Sequence, residues 1–349
     1  MFALPSAPAK QSVSETISVL SGRLGSATLL EDRRAAIQGL RSFAKDYPAS
    51  VASGALRGLI GSLGNDGEDV DTVKVVLETL LMLFSPSENS PEASPEIVLW
   101  LADEFTQRKD NVGLLLRLLD STDLYTRLYT LQLLAAVHSA RPERTEESVF
   151  GPPPGISRLV AVLDDKREAI RNEAVILLTN ITPASIHIQT LVAYENAFER
   201  LFAIIASDGG IVEGGRIVED CLVLLANLVR INTANQSQLR ESGCFAKLSL
   251  LLKQACSGPN QEEDGAPVAP WARAQRNRNL FALLAVIRLF LTGRSVSTHQ
   301  NQAALWHSGV PHSVLQLAFN TDSAEVRIQA EVSSAVFERV FHDSSHRSC

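Results

Sequence analysis

Apolar residues recur along this chain at helical spacing, most clearly over 217–228. There Ile217, Cys221, Leu224, Leu225 and Leu228 stand at i, i+4, i+7, i+8 and i+11, which puts them on one stripe of a 3.6-residue helix. The same stripe returns 47 residues earlier as Ile170, Ala174, Leu177, Leu178 and Ile181. A looser version, Thr126, Thr130, Leu133, Leu134 and Val137, lies 44 residues before that. A further copy, Val73, Leu77, Leu80, Leu81 and Phe84, lies another 53 residues back. Self-similarity at this period marks units that bury their stripes only by stacking on neighbours. The predicted fold is all-α: an armadillo/HEAT-like α-solenoid, a right-handed superhelix of helical repeats.

Punctuation between the stripes sets the expected organisation. Residues 1–12 are Pro/Ala/Ser-rich and predict a disordered N-terminus; 13–341 predict one repeat head; 342–349 predict a frayed tail. The first helix pair is expected over 14–47, with Pro48 as its stop signal. The next repeat is expected over 49–84, divided by the turn-rich 61–67. Two loops interrupt the head, 85–95 with three prolines and 255–270 with Glu262, Glu263 and Asp264. The central repeat reads as one helix over 188–202, a glycine loop, then the 217–228 helix. The last pair is expected over 301–319 and 324–341. Asp120 with Arg127, and Asp164 with Arg171, keep one spacing in successive repeats. Here the acid is expected to cap a helix and the arginine to reach a carboxylate or carbonyls between repeats; Asp322 and Arg327 restore the device.

Composition narrows the function classes. The chain has 349 residues, 45% apolar and only 6% aromatic, which suits helix-on-helix packing. A net charge of −7 and an isoelectric point near 5.6 argue against nucleic acid as a main partner, because phosphate binding relies on concentrated Lys and Arg. Apolar runs fall short of a membrane span, so any membrane contact is expected to be peripheral. The four cysteines form no CxxC pair, and Cys221 takes the packing position that Ala174 fills one repeat earlier. A reducing compartment follows.

No catalytic constellation, cofactor site or metal site is predicted. The loop from Asp208 to Arg216 carries four glycines but lacks the Lys-Ser/Thr pair of a phosphate cradle. His342 and His346 share i, i+4 spacing without an indicated third ligand. Asn180 and Asn227, 47 apart, sit where some armadillo proteins hold a peptide backbone, yet Ile176 and Val223 replace the tryptophans such a ladder uses. Capping or inter-repeat hydrogen bonding is the better reading. The candidate partner surface is Trp271, Arg273, Arg276 and Arg278 at the start of one helix, expected to meet an acidic partner or anionic headgroups.

The wording of several stretches adds to this. IQTLVAYENAFERLFAII over 188–205 and GGRIVEDCLVLLANLVRINTANQSQLRESG over 214–243 resemble the head of the Golgi vesicle-tethering factor family, or general vesicular transport factor. Stretches 28–35, 111–119 with 129–134, and 155–159 with 171–174 fit the same family in order. The resemblance implies a non-enzymatic vesicle tether in endoplasmic reticulum-to-Golgi transport, peripheral on Golgi and vesicle membranes. It also implies a Rab-type GTPase, SNAREs and Golgi tether proteins as partners, and homodimerisation. No a/d heptad run is found, so the chain is expected to be the N-terminal part of that head. The other reading is a generic armadillo adaptor for peptides or cargo.

Overall fold

The computed structural model describes residues 12–150, 154–257, 269–293 and 295–345, and among these every regular element is a helix. The chain divides into two compact units, Met1–Leu159 and Val160–Cys349. The first contains α1 (Val13–Ser26), α2 (Leu30–Ala44), α3 (Pro48–Asn65), α4 (Val70–Phe84), α5 (Pro95–Thr106), α6 (Lys109–Leu118), α7 (Leu124–Ala140) and α8 (Pro142–Phe150). Helix α9 (Gly155–Ala161) carries the chain onward. The second unit contains α10 (Glu168–Ile181), α11 (Ile186–Tyr194), α12 (Ala197–Ser207), the single turn α13 (Gly210–Glu213) and α14 (Arg216–Val229). It continues with α15 (Thr233–Glu241), α16 (Cys244–Ser257), α17 (Pro270–Leu291), α18 (Val296–His307), α19 (Val310–Asn320) and α20 (Ala324–Ser345).

Within the first unit α2 stacks on α4 and α4 on α7; within the second α10, α14, α17 and α20 form the equivalent row, beside a row of α11, α15 and α18. Each unit is armadillo-like, and the stripes form its core. All five residues of the 217–228 stripe, the 170–181 stripe and the 126–137 stripe are buried. In α4 the buried face is broader than the stripe. Asp69 caps α4 by accepting the Thr72 N–H at 2.8 Å, just as Asp123 caps α7 through the Thr126 N–H at 2.8 Å. Val73, Leu77, Leu80 and Phe84 of the predicted stripe are buried and Leu81 is half-buried, while Thr72, Val76, Thr79 and Leu83 are buried as well. Buried threonine is cheap here because Thr79 Oγ1 donates to the Val75 carbonyl of its own helix at 2.6 Å.

Several expected boundaries move. The helix expected over 188–202 breaks at Asn196, whose φ of 60° is left-handed, so α11 and α12 are separate. The expected 301–319 helix breaks likewise at Gly309, φ 81°, and Gly243, φ 77°, makes the same turn between α15 and α16. Only glycine, or a short polar side chain such as asparagine, adopts this conformation readily. Helix α3 runs straight through Gly61 and Gly64 to Asn65, because Leu59 and Leu63 are buried on its core side. Pro48 starts α3 as well as ending what precedes it. Ser12, placed in the disordered stretch, caps α1 in a capping box with Glu15. The 255–270 loop begins later, since 255–257 complete α16, and α17 starts at Pro270; 258–268 lie outside the described residues. Helix α20 extends to Ser345, beyond the expected start of the frayed tail, while residues 1–11, 151–153 and 346–349 lie outside the described residues. The 85–95 loop is tied down: the Ser87 N–H donates to the Lys45 carbonyl at 2.9 Å, and Ser90 Oγ to the Asp46 carbonyl at 2.6 Å.

The acid–arginine device also differs. Asp120 and Asp164 cap nothing; they pair with Arg158 at 2.7 Å and Arg200 at 2.6 Å, nearly forty residues on. The arginines do bond carbonyls, six residues back: Arg171 to Asp165 at 2.8 Å and Arg327 to Thr321 at 2.8 Å, as Arg33 does to Ala27 at 3.1 Å.

A network of buried side-chain amides crosses the second unit. Gln189, Gln236 and Gln302 each donate from Nε2 to a carbonyl at the C-terminal end of the long helix before them, Thr182, Val229 and Leu291, at 3.0, 2.9 and 2.9 Å. Asn235 Nδ2 donates to Leu228 at 2.8 Å and to the Gln189 carbonyl one repeat earlier at 3.0 Å. Asn301 Nδ2 donates to Gln236 Oε1 at 3.1 Å.

Two outcomes are expected. Gln236→Leu leaves Asn301 Nδ2 without its acceptor and the Val229 carbonyl with only the Asn232 N–H at 3.4 Å, and urea denaturation should show a loss of about 1–3 kcal/mol; exposed Gln254→Leu should leave the midpoint unchanged. In the first unit the Asp103 carboxylate accepts from Arg141 at 2.7 and 2.6 Å, and this pairing, reinforced by Arg144, holds it below the usual carboxylate range. Its contribution is therefore complete above the ordinary value of about 3.9 and is lost as pH falls through the native value. Acid unfolding of Asp103→Asn should be less steep below that pH than that of the wild type.

Candidate partner-binding surface

Pro270 at the first position of α17 sets its start, and the four predicted residues lie on its opening turns. The structure divides them by role. Trp271 is 76% exposed, and the Arg273 guanidinium is exposed with no hydrogen bond or ion pair to another described residue. Arg276 instead donates to the Ala255 carbonyl at the end of α16 at 2.9 Å. Arg278 pairs with Glu219 of α14 at 3.3 Å and donates to Gln275 at 2.5 Å. Arg276 and Arg278 therefore hold α17 against its neighbours, Arg278 while still exposed, and the side chains of Trp271 and Arg273 are presented to solvent without such a bond. Trp271, Arg273 and Arg276 border a cleft of about 430 Å³ whose walls include Glu213, Leu280, Leu317 and Asp322.

The glycine loop beneath this cleft is a structural turn. The Gly215 N–H donates to Asp208 Oδ2 at 2.8 Å, and fully buried Asn279 of α17 donates to the Gly214 carbonyl at 2.9 Å. A Cβ at Gly214 would lie 2.1 Å from the Gly210 carbonyl oxygen, so the chain doubles back too tightly for any side chain there. Its Gly215 N–H and Gly214 carbonyl are thus bonded within the protein, while Glu213 and Arg216 are exposed.

The remaining candidates resolve in the same way. Asn227 is buried and donates across the repeat to the Thr179 carbonyl at 3.1 Å, which occupies the amide a peptide ladder would need; its counterpart Asn180 is exposed. Burial pushes the Cys221 thiol far above the ordinary value and raises Cys244 as well, so both are packing residues rather than nucleophiles. No cluster of three His, Cys, Asp or Glu able to hold a metal occurs among the described residues. The side chain of His342, and His346 altogether, lie outside that description. No described helix is long and apolar enough to cross a membrane.

Two surfaces went unpredicted. In the first unit Tyr125 and Tyr129, ring centroids 5.7 Å apart, border a cleft of about 340 Å³ with Arg34, Arg41, Lys74 and Glu78. The cations there are paired: Arg34 with Asp69 at 2.6 Å, Arg41 with Glu78 at 2.5 Å, and Lys74 with Asp71 at 3.0 Å. The i, i+4 tyrosines were the available signal. In the second unit Ile176, Val223 and Val332 occupy equivalent positions of α10, α14 and α20 and are 42%, 39% and 42% exposed, with Phe281 and Ile328 alongside. These patches offer contact area and charge to a macromolecule; none assembles a nucleophile with a base.

No family model matches the chain. It is 38% identical over 340 residues to the intracellular protein transport protein USO1 of Saccharomyces cerevisiae, covering 89% of this chain and 18% of that protein. It is 33% identical over 343 residues to human general vesicular transport factor p115, covering 92% of this chain and 34% of that protein. The chain thus spans less than half the length of the relatives it matches. A crystal structure of Uso1-2 superposes with a TM-score of 0.85 at 35% identity, over 96% of this chain and 52% of the other. A designed armadillo repeat protein, at 16% identity and a TM-score of 0.58, shares the fold alone. The chain belongs to the Uso1/p115 family of vesicular transport factors, matching one portion of its longer members.

Proposed function

We propose that this chain is a scaffold without chemistry of its own, which helps dock transport vesicles before membrane fusion on the route from endoplasmic reticulum to Golgi. The observation that carries the reading is the alignment of about nine-tenths of the chain with proteins named for vesicular and intracellular protein transport. Stacked helical repeats support it physically, since they present extended surfaces rather than a closed pocket. On this reading the chain is peripheral on Golgi and vesicle membranes and works with a Rab-type GTPase, SNAREs and Golgi tether proteins, as a homodimer. The partner surface centres on Trp271 and Arg273, the half of the predicted set whose side chains do not hold α17 to its neighbours, and meets an acidic protein surface.

Purified chain should co-sediment with Golgi membranes more strongly when their GTPases are loaded with a non-hydrolysable GTP analogue than with GDP. Equal sedimentation in both states would remove the GTPase from the proposal. Trp271→Ala with Arg273→Glu should weaken that association about tenfold at unchanged helicity. Arg276→Glu, by contrast, should lower the thermal midpoint, because it strips the Ala255 carbonyl of its donor. Full retention of membrane association by the double variant would exclude this surface.

A further inference from the structure

The three Ser-Pro dipeptides of the chain all fall within eleven residues, at Ser85-Pro86, Ser90-Pro91 and Ser94-Pro95. They lie in the loop joining α4 to α5, and their serines are exposed or half-exposed. The one Thr-Pro, Thr182-Pro183, has its threonine fully buried. Proline after serine fixes an extended, helix-free backbone at the acceptor, and Ser94 holds that conformation, with φ −145° and ψ 152°.

The three serines are not equivalent. Ser90 fastens the loop to the corner between α2 and α3: its Oγ donates to the Asp46 carbonyl at 2.6 Å and accepts the Glu92 N–H at 3.0 Å. Next to it the Ser87 N–H donates to the Lys45 carbonyl at 2.9 Å. Glu92 then caps the start of α3 from outside, accepting the Ser50 N–H at 2.9 Å and the Ser50 hydroxyl at 2.5 Å. The Ser90 hydroxyl proton and the Glu92 charge therefore hold one latch.

We propose that this loop is a site of proline-directed serine phosphorylation, and that phosphate on Ser90 unlatches it from the α2–α3 corner. The donor is ATP with a proline-directed kinase. The γ-phosphorus bonds to Ser90 Oγ, its bond to the β-bridging oxygen breaks, the hydroxyl proton passes to the kinase base, and ADP leaves. A phosphoserine has no hydroxyl proton at Oγ, so the Asp46 carbonyl loses its donor. It also places about −1.5 to −2 charges beside Glu92 and near Glu88. The kinase captures the loop when it opens, and the charge then opposes reclosure, shifting the population toward the open form.

The test treats the full chain with a cyclin-dependent kinase and Mg-ATP, maps phosphate by mass spectrometry, and compares amide exchange with a mock-treated sample. Phosphate on Ser90, with the Ser87 and Ser50 amides exchanging at least tenfold faster, is the expected result. Ser85→Ala with Ser94→Ala should leave both effects in place. A folded chain unmodified at Ser90, while a free peptide covering 83–97 is modified, would overturn the site. Phosphate on Ser90 with unchanged protection, as when Lys45 captures it, would overturn the latch.

Discussion

A stack of helices has one recurring difficulty: each helix ends in carbonyls with no partner inside it, and stacking buries many of those ends. The second unit meets it with side-chain amides. Gln189, Gln236 and Gln302 reach back to the helix that precedes them, and Asn235 and Asn301 join consecutive repeats. An amide carries donor and acceptor together, so one residue closes a helix end and fixes the neighbouring repeat. Apolar stripes supply most of the burial free energy, but they tolerate sliding. The amides accept only one register, which makes repeat order a property of the polar core.

Charge works around that core in a weaker way. Ion pairs join consecutive repeats, as Asp103 does with Arg141 and Asp164 with Arg200, yet most of their side chains are a quarter or more exposed. Such pairs contribute little individually and mainly keep the surface soluble and correctly spaced. The same economy divides the α17 surface. Arg276 and Arg278 are spent on holding the helix, which leaves Trp271 and Arg273 as the groups with free area for a partner. A scaffold can work this way because binding needs exposed surface on a rigid frame, not a perturbed titratable group.

The sequence by itself determined the all-α repeat class, because helical periodicity is local and the stripes 126–137, 170–181 and 217–228 needed no partner to be recognised. It also turned Asn227 away from a peptide contact, since the neighbouring aromatic positions were missing, and left capping or an inter-repeat bond, of which the structure shows the second. The breadth of the buried face of α4 escaped it: Thr72 and Thr79 are buried beside the stripe, because a hydroxyl bonded to its own helix, as in Thr79, is buried at little cost. The breaks at Asn196 and Gly309 also escaped, since a single left-handed residue leaves the hydrophobic pattern on either side intact. Only the tertiary structure decided which arginines were free, which carbonyls the glutamines closed and what the 85–94 loop rested on. Each of those depends on an acceptor or donor beyond the reach of local periodicity, brought near by stacking or by the return of the chain.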